Sequence, residues 1–237
     1  TSTPGTSAQV EELAQVIERT CDAIEGSCLA QALLEPVETL AMQAFARATF
    51  ERLADLAYLR RPTPSLAAAK RAPAPTLPEG IRLRPLAQGE AEQLGDALDR
   101  TYTDTLDCPR LCELRTTDEV LDSHRAAGSF DPDLWWVIEQ QSSDGSWRAE
   151  GVMLLTPCPS QGHIELVYLG LSPAVRGKGI ARPALEHGLN QCAIKTRGAL
   201  RAVTCAVDRQ NTPALRLYEK MGFREFAARV AYVQRTG

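Results

Sequence analysis

Two glycines, an arginine and a lysine lie together where an apolar stretch of the chain turns into a helical pattern. The segment reads VYLGLSPAVRGKGIARPAL over residues 167–185 and contains Arg176, Gly177, Lys178 and Gly179. The first N–H groups of a helix lack partners inside the helix and attract anions. Glycines let an anion approach the backbone, and the two cations add positive charge. The segment therefore predicts a turn that binds a phosphate or diphosphate.

Three kinds of phosphate-binding turn can be compared with this segment. A Walker A loop requires glycine where Ser172 stands and serine or threonine where Gly179 stands. A Rossmann fingerprint requires glycine at Arg182. The pattern Arg/Gln-x-x-Gly-x-Gly/Ala is satisfied by Arg176, Gly179 and Ala181. On this pattern alone, a plain glycine-rich turn with a solvated arginine and lysine stays an equal alternative.

The chain beyond residue 80 predicts the elements that hold this turn. A strand over 163–171 (HIELVYLGL) precedes it and a helix over 180–196 follows. A strand over 199–207 and the segment NTPALRLYEKMGF at 211–223 come next. Together with the upstream elements the order is strand, two helices, three strands, helix, strand, helix, strand. This order predicts an α/β fold with a mixed, α+β-type sheet.

The turn and the later segment together resemble the two signature regions of the GNAT superfamily of N-acetyltransferases. The resemblance covers roughly residues 80–237 and implies the GNAT acyl-CoA N-acyltransferase fold, acetyl-CoA as co-substrate and an amine acceptor. The residues that carry it are the run from Arg176 to Ala181 and Asn211, Ala214, Leu217, Tyr218, Gly222 and Phe223.

The resemblance also implies roles for individual residues. It places the CoA pyrophosphate on the turn formed by Arg176, Gly177, Lys178, Gly179, Ile180 and Ala181. It places the pantetheine arm along Leu169, Gly170 and Leu171, with the backbone N–H of Leu169 at the thioester oxygen and Asn211 near the arm. Gly170 is expected to let the strand bulge. Tyr218 would protonate the CoA thiolate, and Glu165 would help to deprotonate the amine. The alternatives are a helix cap for Asn211, a packed tyrosine for Tyr218 and a solvated carboxylate for Glu165.

Glu165 is a candidate functional residue even without the family resemblance. A charge inside an apolar strand is costly unless it is paired or functional. Period-2 alternation places the side chains of Glu165 and Leu169 on one face of the strand, about 13 Å apart. We therefore expect a water relay or a bulge between this base and the reacting atoms.

Other residues predict the acceptor side. The segment DTLDCPRLCELR (104–115) contains Asp104, Asp107 and Glu113, which would attract a cationic amine; a solvated acidic loop is the alternative. Of the adjacent Trp135 and Trp136, we expect one in the core and the other beside the acceptor groove.

The segment before the proline-rich stretch, 1–61, resembles the second half of a GNAT domain. The positions that match Asn211, Tyr218 and Gly222 are Glu38, Phe45 and Thr49, so no acetyl-CoA site is expected there. We divide the chain into a degenerate half-domain (1–61), a proline-rich linker (62–80) and a catalytic domain (81–237). The first part would pack against the catalytic domain or support a homodimer; a helix-rich appendage is the alternative.

Composition narrows the function classes. A net charge of −4 argues against a nucleic-acid partner, and no apolar run is long enough for a membrane span. Seven cysteines without metal-ligand spacing predict free thiols, a cytoplasmic protein and no metal. The predicted function is transfer of the acetyl group of acetyl-CoA to a primary amine of a small molecule or peptide, by direct attack in a ternary complex. The alternative is a non-catalytic acyl-CoA sensor or scaffold.

Overall fold

The computed structural model describes residues 6–24, 28–88 and 91–236, which form one mixed eight-stranded sheet in the order β1-β8-β2-β7-β6-β5-β4-β3. The strands are β1 (Cys28–Leu34), β2 (Glu51–Pro62), β3 (Ile81–Pro85), β4 (Trp135–Gln141), β5 (Trp147–Cys158), β6 (His163–Leu171), β7 (Ala202–Asp208) and β8 (Arg224–Thr236). The helices are α1 (Ser7–Asp22), α2 (Thr39–Arg47), α3 (Leu66–Arg71), α4 (Ala91–Tyr102), α5 (Thr117–Ala126), α6 (Ala181–Lys195) and α7 (Thr212–Lys220).

The sheet buries a different core on each face. Helices α6 and α7 cover one face, where the largest cluster of buried apolar side chains lies. Helices α4 and α5 cover strands β4 to β6 on the other face. Trp135 and Trp136, which are consecutive on β4, are both buried, one in each cluster. The expectation that one of them lies beside an acceptor groove is therefore wrong, because both faces of β4 are covered by helices.

Strands β1 and β2 bring the beginning of the chain into this sheet. Strand β2 lies between β7 and β8 and is antiparallel to both, and β1 is an edge strand antiparallel to β8. A sheet of this arrangement joins the beginning of the chain to its end through backbone hydrogen bonds.

The strand pairs on the two sides of β2 and β8 are related by a constant offset in residue number. Adding one fixed number to the residue numbers of β2 and β1 gives residues of β8 and β7. Ala57 on β2 thus corresponds to Val230 on β8, and Leu34 on β1 corresponds to Val207 on β7, so the pair Ala57–Val207 corresponds to the pair Val230–Leu34. The pairs within the β2–β8 ladder map onto each other too, and the same offset separates the extra residues of its two bulges, Leu53 and Phe226. The sheet thus has a local twofold relation about an axis perpendicular to it.

The helices obey the same offset. It carries the bounds of α2 (39–47) onto those of α7 (212–220), and it carries α1 onto α6 within one residue at the start. Gly222 and Thr49, at the C-terminal ends of α7 and α2, both have left-handed backbones with φ of 83° and 64°. A left-handed backbone is uncommon for threonine. Thr49 nevertheless adopts the same helix-ending turn that Gly222 adopts at the equivalent position.

The proline-rich segment contains a helix that proline density alone does not predict. Ser65 accepts a hydrogen bond from the N–H of Ala68, and three alanines follow it in α3. An N-cap serine followed by alanines favours a helix, and this helix lies between two prolines and contains none. The segment is therefore partly helical, not only extended.

No helix in the described part of the chain is long and apolar enough to cross a membrane.

Candidate active site

Strands β6 and β7 separate partway along their length. Their parallel ladder consists, in the described part of the chain, of three pairs that end at Glu165–Thr204. Beyond this pair, the edge of β6 that faces β7 has backbone groups without a ladder partner. Unpaired strand edges accept an added strand or an extended ligand.

A bulge lies on β6 at this separation. Leu155 pairs with Leu166 and Leu154 pairs with Tyr168, so Val167 is the extra residue. Bulges redirect side chains and are frequent beside functional sites. The bulge lies at Val167 and not at Gly170, which stays paired with Val152. Glycine at 170 has a steric cause, because an added Cβ would lie 2.5 Å from the ring of Tyr168.

The bulge reverses the alternation of side chains along β6. Leu166 and Leu169 both contact the core under α6 and α7, although they are three residues apart. Glu165, next to Leu166, lies on the α4/α5 face, where it accepts a hydrogen bond of 2.7 Å from the hydroxyl of Thr204. The expectation that Glu165 and Leu169 share a face is therefore wrong, since it assumed an unbroken alternation.

The turn after β6 is shaped by glycines in left-handed conformations. Gly177 and Gly179 have φ of 75° and 77°, and a Cβ added at either position would meet no atom within 4 Å. The turn leads into α6, whose N-cap residue Ile180 makes no side-chain capping bond. The free N–H groups of this helix end and the open space above the two glycines suit an anion.

Arg176 is not the solvated cation of the alternative interpretation. Its guanidinium donates to the carbonyl oxygens of Leu171 (2.9 Å), Thr101 (2.9 Å) and Asp104 (3.0 Å). These contacts join the turn to the end of β6 and to the C-terminal end of α4, where a cation is favourable. Arg176 therefore fixes the turn, and its donors are engaged with the backbone.

A cavity of about 830 Å³ brings most of the predicted site residues together. It is lined by Leu169, Gly170, Leu171, Arg176, Gly177, Gly179, Ile180, Ala181, Asn211 and Tyr218. It also reaches the α4/α5 face, where Leu106, Asp107, Tyr168 and Ala206 line it. Lys178, which is exposed, and Glu165 are not among the lining residues.

Tyr218 lies in the wall of this cavity and is buried. Its ring packs against Phe223, with 5.3 Å between the centroids. Burial raises the pKa of its hydroxyl well above the ordinary value, and the nearby Cys205, Asp107 and Tyr168 raise it further. The hydroxyl therefore stays protonated over the physiological range, as a proton donor requires.

Asn211 and Asp107 meet at the turn between β7 and α7. Asn211 is the N-cap of α7 and accepts from the N–H of Ala214 (3.2 Å). Its side chain is also hydrogen-bonded to Asp107, whose carboxylate accepts from the N–H of Asp208 (2.8 Å). Burial raises the pKa of Asp107, although these hydrogen bonds lower it. The capping alternative for Asn211 thus describes the contact that it makes here.

Three cations at the cavity were missed in the sequence. Arg216 and Lys220 lie one turn apart on α7, are exposed and line the cavity, as does Arg182 on α6. Arg182 is ion-paired with Glu186 at 2.9 Å. The i, i+4 spacing of Arg216 and Lys220 was the available signal, but only the fold shows that their side of α7 faces the glycine turn.

His163 lies beside Glu165 on the same strand. Its Nε2 lies 3.3 Å from a carboxylate oxygen of Glu165, which therefore has a histidine and a hydroxyl as neighbours. The Glu165 side chain is 30% exposed, so it is open to solvent or to a ligand on the α4/α5 face. Glu113 was expected to contribute charge nearby, but its side chain lies outside the described residues.

Comparison with known proteins identifies the family. The model of the acetyltransferase (GNAT) family matches residues 98–223, which is more than half of the chain. The chain belongs to the GNAT family. The match includes β6, the glycine turn and α7, which are the elements that surround the cavity. The GNAT membership and the mixed α/β fold expected from the sequence are thereby confirmed.

The chain is similar to curated proteins named mycothiol acetyltransferase. Mycothiol acetyltransferase from Thermobispora bispora is 33% identical over 169 residues, 68% of this chain and 52% of that protein. Mycothiol acetyltransferase from Amycolatopsis mediterranei is 31% identical over 163 residues, 68% of this chain and 52% of that protein. This GNAT chain thus spans about half the length of the curated relatives it matches.

Solved structures share the fold. A GCN5-related N-acetyltransferase from Sphaerobacter thermophilus has a TM-score of 0.60 at 21% identity, covering 93% of this chain and 64% of its own. A tandem GNAT protein from the clavulanic acid biosynthesis pathway has a TM-score of 0.56 at 13% identity, covering 94% of this chain and 68% of its own. At these identities the likeness concerns the fold.

Proposed function

We propose that this protein transfers the acetyl group of acetyl-CoA to a primary amine. The observation that carries the proposal is the cavity at the β6–β7 separation, whose lining includes the glycine turn, the edge of β6, Tyr218 and Asp107. A long, thin coenzyme with a diphosphate in the middle and a thioester at its tip needs an anion site, a strand edge and a proton donor, and this lining contains all three. The names of the curated relatives support the reaction class.

The fit of CoA rests on this chain's own groups. The N–H groups around Gly177 and Gly179 and at the start of α6 would hold the pyrophosphate, and Arg216 and Lys220 would neutralise its charge. Arg176 acts by fixing the turn through three carbonyl contacts. The unpaired edge of β6 at Leu169, Gly170 and Leu171 would pair with the pantetheine amides.

The chemistry is a direct displacement. The amine nitrogen attacks the thioester carbonyl carbon, the C–N bond forms and the C–S bond breaks. The N–H of Leu169 would stabilise the oxyanion, a contact worth about 3 kcal/mol in comparable sites. Glu165 would first take a proton from the ammonium form of the acceptor, so that a neutral amine attacks. Tyr218 would give its proton to the departing thiolate and recover one from solvent, and the second proton of the nitrogen leaves to solvent as the amide forms.

The acceptor would approach from the α4/α5 face. Glu165 has its partners Thr204 and His163 on that face, and Asp107 lines the cavity there. Two carboxylates near the thioester end would attract a cationic amine. Because Glu165 does not line the cavity, a water molecule would carry the proton between the amine and this base.

The segment 1–61 forms, in our proposal, a degenerate GNAT half joined to the catalytic part (81–237) by the linker (62–80). The constant offset in residue number between the strands and helices of the two halves supports this. Phe45 stands where Tyr218 stands in the other half, so a proton donor is missing there. This half would serve the catalytic sheet by supplying β2.

The test is turnover. Purified protein is incubated with acetyl-CoA and a panel of primary amines, while free CoA thiol is measured with a thiol reagent. Amine-dependent thiol release, with the acetylated amine seen by mass spectrometry, is the expected result. CoA binding in calorimetry without turnover of any amine would instead favour the acyl-CoA sensor.

A further inference from the structure

A strip of the sheet surface lies beside Glu165 on the α4/α5 face. Glu165 pairs with Thr204 on β7, and Ala206, two residues farther along β7, pairs with Tyr58 on β2. These side chains share one face because their sequence neighbours pack in the core of the other face; those neighbours are Ala57, Leu59, Cys205 and Val207. The strip therefore runs from a carboxylate, over a threonine and an alanine, to a tyrosine, and the exposed Arg60, which pairs with Thr204 and shares the face of Tyr58, lies beside it.

The far part of the strip is accessible, whereas Thr204 in its floor is buried. Ala206 is exposed and lines the cavity, so its small side chain leaves room above the sheet. Phe226, the bulged residue of β8, is 56% exposed and packs edge-on against Tyr58, with 6.4 Å between the ring centroids. Two aromatic rings thus stand at the end of the strip opposite Glu165.

Charge and spacing connect the rings to the carboxylate. The pKa of Tyr58 is raised mainly by burial, lowered by Arg229 over its ring, and raised by the charge of Glu165. Tyr58 lies two strands from Glu165 and two residues farther along the sheet, which is about 12 Å between Cα atoms at the usual strand dimensions. A single ring with an amine on a short arm spans such a distance.

We propose that Tyr58 and Phe226 form the wall that stacks against a ring of the acceptor, while the acceptor's amine is joined to Glu165 through a water molecule. The inference rests on the proposed acetyl transfer and names its substrate class, a primary amine that carries a sugar or aromatic ring. Aromatic side chains bind both kinds of ring by their flat faces. Because Tyr58 belongs to β2, the first half of the chain takes part in acceptor selection.

The test compares amines with and without a ring. The wild type and the Tyr58→Ala and Phe226→Ala variants are assayed with 2-phenylethylamine, glucosamine, n-butylamine and ethanolamine. We expect the ring-bearing amines to be preferred, and their KM to rise about fivefold in both variants. The KM for acetyl-CoA should not change, and Tyr58→Phe should keep the preference because it keeps the ring. A preference for 2-phenylethylamine indicates an acceptor with an aromatic ring, and a preference for glucosamine indicates an acceptor with a sugar ring.

Leu33→Ala is the matched control, since Leu33 is an exposed apolar residue on edge strand β1 of the same sheet. Thermal unfolding verifies that each variant is folded. If amines are acetylated but the ratio of KM between ring-bearing and open-chain amines is the same in all variants, the wall does not exist and the proposed function stands. If no amine in any panel is acetylated, the proposed function fails and this inference fails with it.

Discussion

Asp107 and Asp208 join two distant segments of the chain at the cavity. The Asp107 carboxylate accepts a hydrogen bond of 2.8 Å from the N–H of Asp208, and the Asp208 carboxylate accepts one of 3.2 Å from the N–H of Cys108. This exchange fixes the segment after α4 against the end of β7. Asp208 is 2% exposed, and burial raises the pKa of Asp107. Because burying the ionised Asp107 carboxylate at the cavity lowers the stability of the protein, Asp107 is a candidate functional residue.

Replacing Asp107 by asparagine should raise the stability of the protein and lower its activity toward the amine. The raised pKa means that the folded protein binds this proton more readily than the unfolded chain does. Ionisation of Asp107 therefore lowers stability as the pH rises from the unfolded pKa through the folded one. At pH 8 Asp107→Asn should raise the free energy of unfolding, while kcat/KM for the amine falls about tenfold for loss of a charged contact.

Urea unfolding at pH 5 and pH 8 and steady-state kinetics measure the two effects. The control is Asp122→Asn, an exposed residue of α5 paired with Arg125, which should change neither quantity appreciably. A variant that is less stable at pH 8 and fully active would show that Asp107 is only a structural acceptor.

Tyr218→Phe should lose turnover and keep coenzyme binding. The change removes a hydroxyl that burial keeps protonated in the cavity wall, and it leaves the ring packed on Phe223. We expect kcat to fall about a hundredfold, as for loss of a general acid, with the Kd for CoA within about twofold. Tyr232→Phe, which is equally buried on β8, is the matched control. An unchanged kcat in Tyr218→Phe would remove the acid role.

The order of elements beyond residue 80 and the glycine turn were predictable because each has a local cause. Apolar runs mark the strands, Asn211 caps α7, and the glycines mark the left-handed turn. The constant offset between the elements of segment 1–61 and the last elements of the chain follows from aligned patterns along the sequence, and the degenerate half-domain inferred from them stays a prediction.

The insertion of β2 between β7 and β8 was not predictable from these patterns. Strand pairing depends on contacts between residues far apart in the chain, and the alternation of β2 fits several neighbours equally well. The bulge at Val167 has no local signal either, so Glu165 and Leu169 were wrongly expected to share a face. The contacts of Arg176 were missed because they join β6 and α4, which only the tertiary structure brings together.

Gly179→Ala should weaken CoA binding beyond its cost in stability. The left-handed backbone, with φ of 77°, makes alanine unfavourable by about 1 kcal/mol, and the methyl group would fill the open space above the turn. Gly145→Ala is matched, because Gly145 has φ of 84° and equally free surroundings in the turn between β4 and β5. Both variants should lose similar stability in urea.

Calorimetry with CoA separates the two glycines. We expect about a tenfold higher Kd for Gly179→Ala, since a methyl group keeps a phosphate from the N–H groups. Gly145→Ala should bind CoA as the wild type does. Equal affinities in the two variants would place the pyrophosphate elsewhere.

Arg176→Lys should behave almost like Arg176→Ala, because the three carbonyl contacts need the spread donors of a guanidinium. Both variants leave carbonyl oxygens of Leu171, Thr101 and Asp104 without this donor, which we expect to cost about 2 kcal/mol in urea unfolding. CoA affinity should fall as well, since the turn loses its attachment to α4. Arg201→Ala, at an exposed arginine beside β7, is the control and should keep both quantities. If Arg176→Lys has wild-type stability and wild-type CoA affinity, the arginine acts only through its positive charge, and its three carbonyl contacts do not hold the turn in place.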